Sequence, residues 1–153
     1  MALRNLTHWN DPLFRKTSRA VERFDARLWN LLDDMRETLA AVGGYGCAAV
    51  YVGVLRRVVV VNDEGGVIEL VNPVITAESA EMQEVQEGSI APGAPRGTVT
   101  RPKSVTVSAL DRHGKPITVS GQDFLAATFC HEIDHLDGIL FTDKAGHRNG
   151  QCV

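Results

Sequence analysis

The chain reads as an α+β fold: mostly antiparallel strands around a late helix that carries HEIDH at residues 131–135, with an amino-terminal helix packed outside. Three observations predict this class. An amphipathic helical stretch lies early, a second lies late, and short β-branched runs broken by turn residues fill the interval between them.

The early helix is "FDARLWNLLDDMRETLAAVGG". Asp25 is placed to cap it. Leu28, Leu31, Leu32, Met35 and Leu39 share one face, Asp33, Asp34, Arg36 and Glu37 the other, and Gly43 and Gly44 stop it. Strand signals follow in "CAAVYVG", in "RRVVVVN" up to the turn "DEGG", and in "VIELVNPVI", where Pro73 implies an edge or a bulge. "MQEVQEGSIAPGAPRGTVTRP" is rich in Gly and Pro and reads mostly as loop. "SVTVSAL" and "PITVSG", joined by "DRHGK", form a hairpin. The late helix starts at Ser120, with Asp123 in a capping-box-like position, and ends near Gly138. The tail "TDKAGHRNGQCV" reads as polar and frayed. Trp9 and Trp29 are core candidates.

At 153 residues, without internal repeat or linker, the expectation is one domain over residues 1–153. A hydrophobic fraction of 44% with 23% charged residues is ordinary for a soluble protein. The net charge of −3, without a basic stripe, excludes DNA as the main partner. No apolar run is long enough to span a membrane, and no secretory signal is visible. Three cysteines at irregular spacing (Cys47, Cys130, Cys152) form no disulfide framework, so a reducing, cytoplasmic location is expected.

HEIDH places His131 and His135 four apart, on one face of a helix, where both imidazoles can point at one ion or else serve as ordinary surface or core residues of an amphipathic helix. Glu132 sits within reach of a water on that ion, whose pKa the metal lowers toward ~7, and serves as acid and base in amide hydrolysis. A third ligand is needed. Where a third histidine would follow in the pattern HExxHxxGxxH, Phe141 stands, and no glutamate follows Glu132. Downstream only Asp137, Asp143 and His147 remain, so the third ligand is expected upstream.

Three stretches in order, "GYGCAAVY" at 44–51, "EGSIA" at 87–91 and "HEIDH" at 131–135, resemble the peptide deformylase family, whose motifs are GxGLAAxQ, EGCLS and HExDH. The early helix, the "LVNP" strand and "ALDRHGKPITV" add to the likeness, which covers roughly residues 9 to 145. The resemblance implies a small α+β hydrolase that removes the N-formyl group from the amino-terminal methionine of new polypeptides. It further implies a divalent ion, Fe2+ or Zn2+ and also Ni2+ or Co2+, and as partner an N-formylated or N-blocked peptide on ribosome-associated nascent chains. Residue by residue, it makes His131 and His135 metal ligands, Glu132 the acid and base, and the Ile90 backbone amide an oxyanion donor. Gly44, Gly46 and Glu87 would face the substrate.

Two positions depart from the family. Ser89 stands where the cysteine ligand belongs, and Tyr51 where the oxyanion glutamine belongs. A serine hydroxyl is a weaker ligand than a thiolate, so a weakly held ion is expected at Ser89. Tyr51 keeps one O–H donor, on a longer and stiffer side chain, or else blocks part of the pocket. Cys47 and Cys130 read as small buried hydrophobes, and Asp134, Asp137, His113 and His147 as surface or supporting groups. Three functions stay open: a divergent deformylase, a family member that binds peptide ends without catalysis, and an amidohydrolase retuned to another N-acyl group.

Overall fold

Asp25 caps the first helix as its position predicts, its carboxylate accepting from the amides of Arg27 and Leu28 at 3.1 and 3.4 Å. The computed structural model describes residues 2–145 and the backbone of residues 147–148 and 151–152. Helix α1 runs Ala26–Val42 and stops at Gly43, whose φ of 68° is the left-handed turn that glycine adopts without strain. Its five predicted apolar residues are all buried. Asp34 departs from the expected outer face: it is buried, and accepts from Ala2 N at 2.7 Å and Arg4 Nε at 2.8 Å. The segment before α1 folds back over the helix and supplies its partner.

The strands are β1 (Gly46–Ala48), β2 (Val58–Asp63), β3 (Gly66–Glu78), β4 (Met82–Glu87), β5 (Gly97–Pro102), β6 (Ser104–Leu110) and β7 (Pro116–Gln122), followed by α2 (Asp123–Leu136). An antiparallel sheet has the order β1-β2-β3-β6-β7, and β4 pairs with β5 in a separate hairpin. Val58, Val59, Val60 and Val61 are buried on both faces of β2, because α1 packs on the strand as well as α2. That unbroken apolar run is the centre of the core. No described helix is long and apolar enough to cross a membrane.

Three sequence expectations change. "CAAVYVG" is a strand only as far as Ala48; Ala49–Val52 turn as a 3-10 helix. Carbonyls beyond β1 are taken from outside the sheet, since Thr7 donates from N to Tyr51 O at 2.7 Å and from Oγ1 to Val50 O at 2.8 Å. "MQEVQEGSIAPGAPRGTVTRP" is not mostly loop: its two ends pair from Met82↔Pro102 to Glu87↔Gly97, leaving only 88–96 irregular. The late helix does not start at Ser120, which lies in β7 and pairs with Thr106. It starts at Asp123, held at φ 56° while its amide donates to Lys103 O at 2.8 Å. At Pro73, of the edge or bulge expected, the structure has the bulge: β3 is internal, and the proline is absorbed by a register shift between Val71 and Val74. Asn72 takes φ 52° there, and its side chain clamps Val21, accepting from Val21 N at 2.8 Å and donating to Val21 O at 3.0 Å.

The tail expected to fray from Thr142 is instead ordered as far as Ala145: Phe141–Asp143 form a 3-10 turn, Asp143 accepts from Arg15 Nη1 at 2.6 Å, and Ala145 is buried, while the His147 side chain lies outside the described residues. Trp9 is buried as expected, and Trp29 is half-buried, its Nε1 donating to Arg112 O at 2.7 Å.

Candidate metal centre and active site

Helix α2 carries His131, Glu132 and His135 inward, and all three are buried. The two histidine Nε2 atoms lie 3.3 Å apart. The donor atoms of His131, Glu132 and His135 all fall within 4.8 Å of one another. The helical spacing alone brings the histidines to one face. What aims them is a buried ionic chain that sequence reasoning missed.

Arg101, 2% exposed, donates from Nε and Nη2 to the two carboxylate oxygens of Glu87 at 2.8 and 2.9 Å, and from Nη1 to Asp134 Oδ2 at 2.7 Å. Glu87 in turn accepts from His131 Nδ1 at 2.7 Å. Burial works to raise the Glu87 pKa, but the hydrogen bonds from Arg101 and His131 outweigh it and hold the carboxyl at about 2. An ionised carboxylate only accepts, so His131 Nδ1 must carry a proton. In its neutral form the ring then presents the Nε2 lone pair to the site, the arrangement a ligating histidine needs. Glu87, expected to face substrate, lines the cavity but commits both oxygens to Arg101, and one also to His131. The signal for Arg101 was present: in "TVTRP" Val99 and Arg101 alternate with exposed Thr100, so an arginine occupies an inward strand position.

Glu132 is 4% exposed and its Oε1 is buried with no hydrogen-bond partner among the described residues. Burial pushes its pKa up to about 7 against the pull of His131, and the Glu87 charge adds to the rise. A carboxyl near 7 both takes and gives a proton at neutral pH. Gly46 makes its position possible: a Cβ there would lie 2.5 Å from Glu132 Oε2. A Cβ on Gly44 would collide with the Ile90 side chain. Both glycines therefore let the first motif pass close to the groups they flank, and both line the cavity.

The two departing positions meet. Tyr51, 1% exposed, places Oη 2.8 Å from His135 Nε2 and 3.1 Å from His131 Nε2. Ser89 Oγ donates to that same Oη at 3.0 Å and accepts from Ala91 N at 3.1 Å. Ser89 thus reaches the histidine pair through Tyr51, with no hydrogen bond of its own to either ring among the described residues. Cys47 is buried with Sγ 3.5 Å from Ala48 O, and Cys130 is buried as well; burial raises both thiols, as for inert core cysteines. His113 stacks edge-on against Trp29, away from the centre.

A cavity of about 600 Å³ opens over these groups, lined among others by Gly44, Tyr45, Ile90, Phe124, His131 and Glu132. Tyr45 and Phe124 stand half-exposed or more at its edge with ring centroids 4.7 Å apart. Two imidazole nitrogens facing each other beside an unpartnered carboxylate oxygen form a donor set that fits a divalent ion.

Residues 3–151 match the family model described as polypeptide deformylase. The chain belongs to the peptide deformylase family. It is 49% identical to a peptide deformylase of Acetivibrio thermocellus over 144 residues, covering 94% of this chain and 84% of that protein. It is 41% identical to peptide deformylase 1 of Clostridium acetobutylicum over 150 residues, covering 98% and 99%. Among solved structures, it resembles the peptide deformylase of Thermotoga maritima with a TM-score of 0.92 at 27% identity, covering 96% of this chain and all of that one (100%). It also resembles the Synechococcus elongatus enzyme in complex with actinonin, with a TM-score of 0.89 at 31% identity, covering 94% and 79%. These matches bear out the α+β deformylase fold, and the family they define is one of metalloenzymes.

Proposed function

We propose that this chain, acting as one unit, is a metal-dependent deformylase that removes the N-formyl group from amino-terminal methionine of newly made polypeptides. The observation that carries this is the pair of imidazole nitrogens 3.3 Å apart beside the unpartnered Glu132 Oε1, opening into a cavity. His131 and His135 would hold a divalent ion such as Fe2+, Zn2+, Ni2+ or Co2+. When bound, the ion polarises the formyl carbonyl and makes hydroxide available near neutral pH.

The chain's own residues do the rest. Glu132 takes a proton from the attacking water and returns it to the departing amine nitrogen, as the carbonyl carbon gains an oxygen and its C–N bond breaks. The Ile90 amide supports the oxygen that develops negative charge. Tyr45 and Phe124 offer aromatic edges suited to a methionine side chain. Glu87 and Arg101 hold His131 in the ligating tautomer.

A second reading is favoured by one specific contact. The Tyr51 hydroxyl lies within hydrogen-bonding distance of both Nε2 atoms, and donating to His131 Nε2 while accepting from a protonated His135 Nε2 would satisfy both without any ion, which suits a family member that binds peptide ends but does not hydrolyse them. Metal analysis of the purified protein and formate release from formyl-Met peptides, with Fe2+, Zn2+, Co2+ or Ni2+ supplied, separate the two. Hydrolysis that a chelator abolishes is expected. A metal-loaded protein that binds formyl-Met peptides yet releases no formate would overturn the hydrolase reading.

A further inference from the structure

Tyr51 and Ser89 are usually-occupied family positions changed together, and here they touch. Tyr51 Oη, His131 Nε2 and His135 Nε2 form a triangle with edges of 2.8, 3.1 and 3.3 Å. A tetrahedral ion with metal–nitrogen and metal–oxygen bonds of about 2.0–2.1 Å needs its ligand atoms roughly 3.3 Å from one another. The three atoms therefore already outline one face of such a coordination sphere. The phenol cannot swing clear: it stands on the 3-10 turn Ala49–Val52, with Phe14 edge-on at 5.4 Å and His135 at 4.9 Å between ring centroids.

We propose that the Tyr51 phenolate oxygen is the third protein ligand to the ion, in the place the family gives to a cysteine thiolate, and that the Ser89 hydroxyl is the hydrogen-bond donor that supports it. The two positions have exchanged tasks. The anionic ligand has moved from 89 to 51, while the neutral donor has moved from 51 to 89. The change is balanced in charge: binding a divalent cation releases the phenol proton to solvent, and one phenolate offsets one positive charge as one thiolate would. It also hardens the donor set, from nitrogen and sulfur to nitrogen and oxygen, which shifts preference toward harder ions such as iron and away from the ions that thiolates select, zinc among them. Ser89 is fitted for the supporting part, because Ala91 N holds its Oγ at 3.1 Å while its proton points at Tyr51 Oη at 3.0 Å.

This inference rests on the metal-dependent reading above, and the test separates the two. Metal-stripped full-length protein is titrated with Fe3+, which gives a visible phenolate-to-iron charge-transfer band, and with Co2+ by equilibrium dialysis. The parent is expected to show the band. Tyr51→Phe is expected to lose it and to bind Co2+ at least ~100-fold more weakly, beyond the ~10–100-fold typical of a lost supporting hydrogen bond. Ser89→Ala should keep a shifted band and weaken Co2+ binding by about 10-fold. Tyr51→Phe combined with Ser89→Cys should recover Co2+ affinity with a thiolate-to-cobalt band. Tyr51→Phe binding Co2+ as tightly as the parent, or more tightly, would overturn the proposal, since the hydroxyl would then be an obstruction. Absence of the band in the unaltered, iron-loaded parent would overturn it too, without reliance on any variant's folding. A phenolate band in a protein that releases no formate supports the ligand assignment and sinks only the hydrolase reading.

Discussion

Arg101 is the residue whose removal should be felt most widely. Replacing it with methionine keeps most of the volume and deletes the charge that neutralises Glu87 and Asp134. Breaking a buried ion pair by removing one partner destabilises by about 3–5 kcal/mol, because the other charge stays buried and uncompensated. The pKa offers a second route to the magnitude. Glu87 is held at about 2 instead of 4.5 by Arg101 and His131 together against the opposing effect of burial, which corresponds to roughly 3 kcal/mol of net coupling shared between those partners at 1.36 kcal/mol per pH unit. The two routes agree, and in a domain of this size they imply a fall in Tm of about 8–15 °C. Since the carboxyl is depressed in the folded state, its contribution is complete above pH 4.5 and disappears as pH falls toward about 2. Denaturant unfolding at pH 7 and across pH 2–5, with chelator present so that ion binding adds nothing, measures both. Arg101→Met should lose its stability at pH 7 and show a flatter acid limb. Adding Glu87→Gln to Arg101→Met should recover part of the loss, since a neutral amide is cheaper to bury than a lone carboxylate. A variant within about 1 kcal/mol of the parent at pH 7, with the parent's acid slope, would refute the reasoning.

Two further outcomes follow from close contacts. Gly46→Ala drives a methyl group to within 2.5 Å of Glu132 Oε2, so formate release should drop ~10²-fold or more while Co2+ uptake, read by dialysis, stays near that of the parent. Asn72→Ala, judged by urea unfolding, should destabilise by about 2–3 kcal/mol through loss of both Val21 hydrogen bonds and strain at φ 52°. Asn72→Gly relieves the strain and should be milder by about 1 kcal/mol, and the reverse order would contradict the account.

The features legible in sequence are those set by short-range periodicity. Five apolar residues spaced along α1, the capping Asp25, and the histidine pair on α2 follow from helical geometry alone. The β6–β7 hairpin was legible because both strands alternate and a turn joins them. The β4–β5 hairpin was hidden because its first strand alternates glutamine, glutamate and a single valine, and the Gly/Pro stretch between drew the reading toward loop. The late helix was placed three residues early because Ser120 looks like a cap, while the β6 pairing extends the strand through it. Within the site, the motifs located the histidines, Glu132, Ser89 and Tyr51. They gave no hint that Tyr51 Oη reaches both rings, because that depends on where strand β1 gives way to the 3-10 turn, fixed by Thr7 far upstream. Arg101 was missed for a similar reason: its partners Glu87 and Asp134 converge only in three dimensions.

The stretch from Thr7 to Ser18 forms the rear wall of the histidine pocket. Trp9 and Phe14 rings flank His135 at 6.3 and 5.3 Å, the Arg15 carbonyl lies where a side chain on Gly138 would go, and Ser18 N donates to Leu136 O at 2.8 Å. The wall and the helix it backs lie far apart along the chain, the one ending at Ser18 and the other starting at Asp123. A ribosome therefore exposes the wall long before the helix that completes the chamber has been made, and the chamber can close only once α2 has emerged. Any fragment halted before α2 holds an aromatic wall with nothing to shelter, which marks such fragments for aggregation or proteolysis.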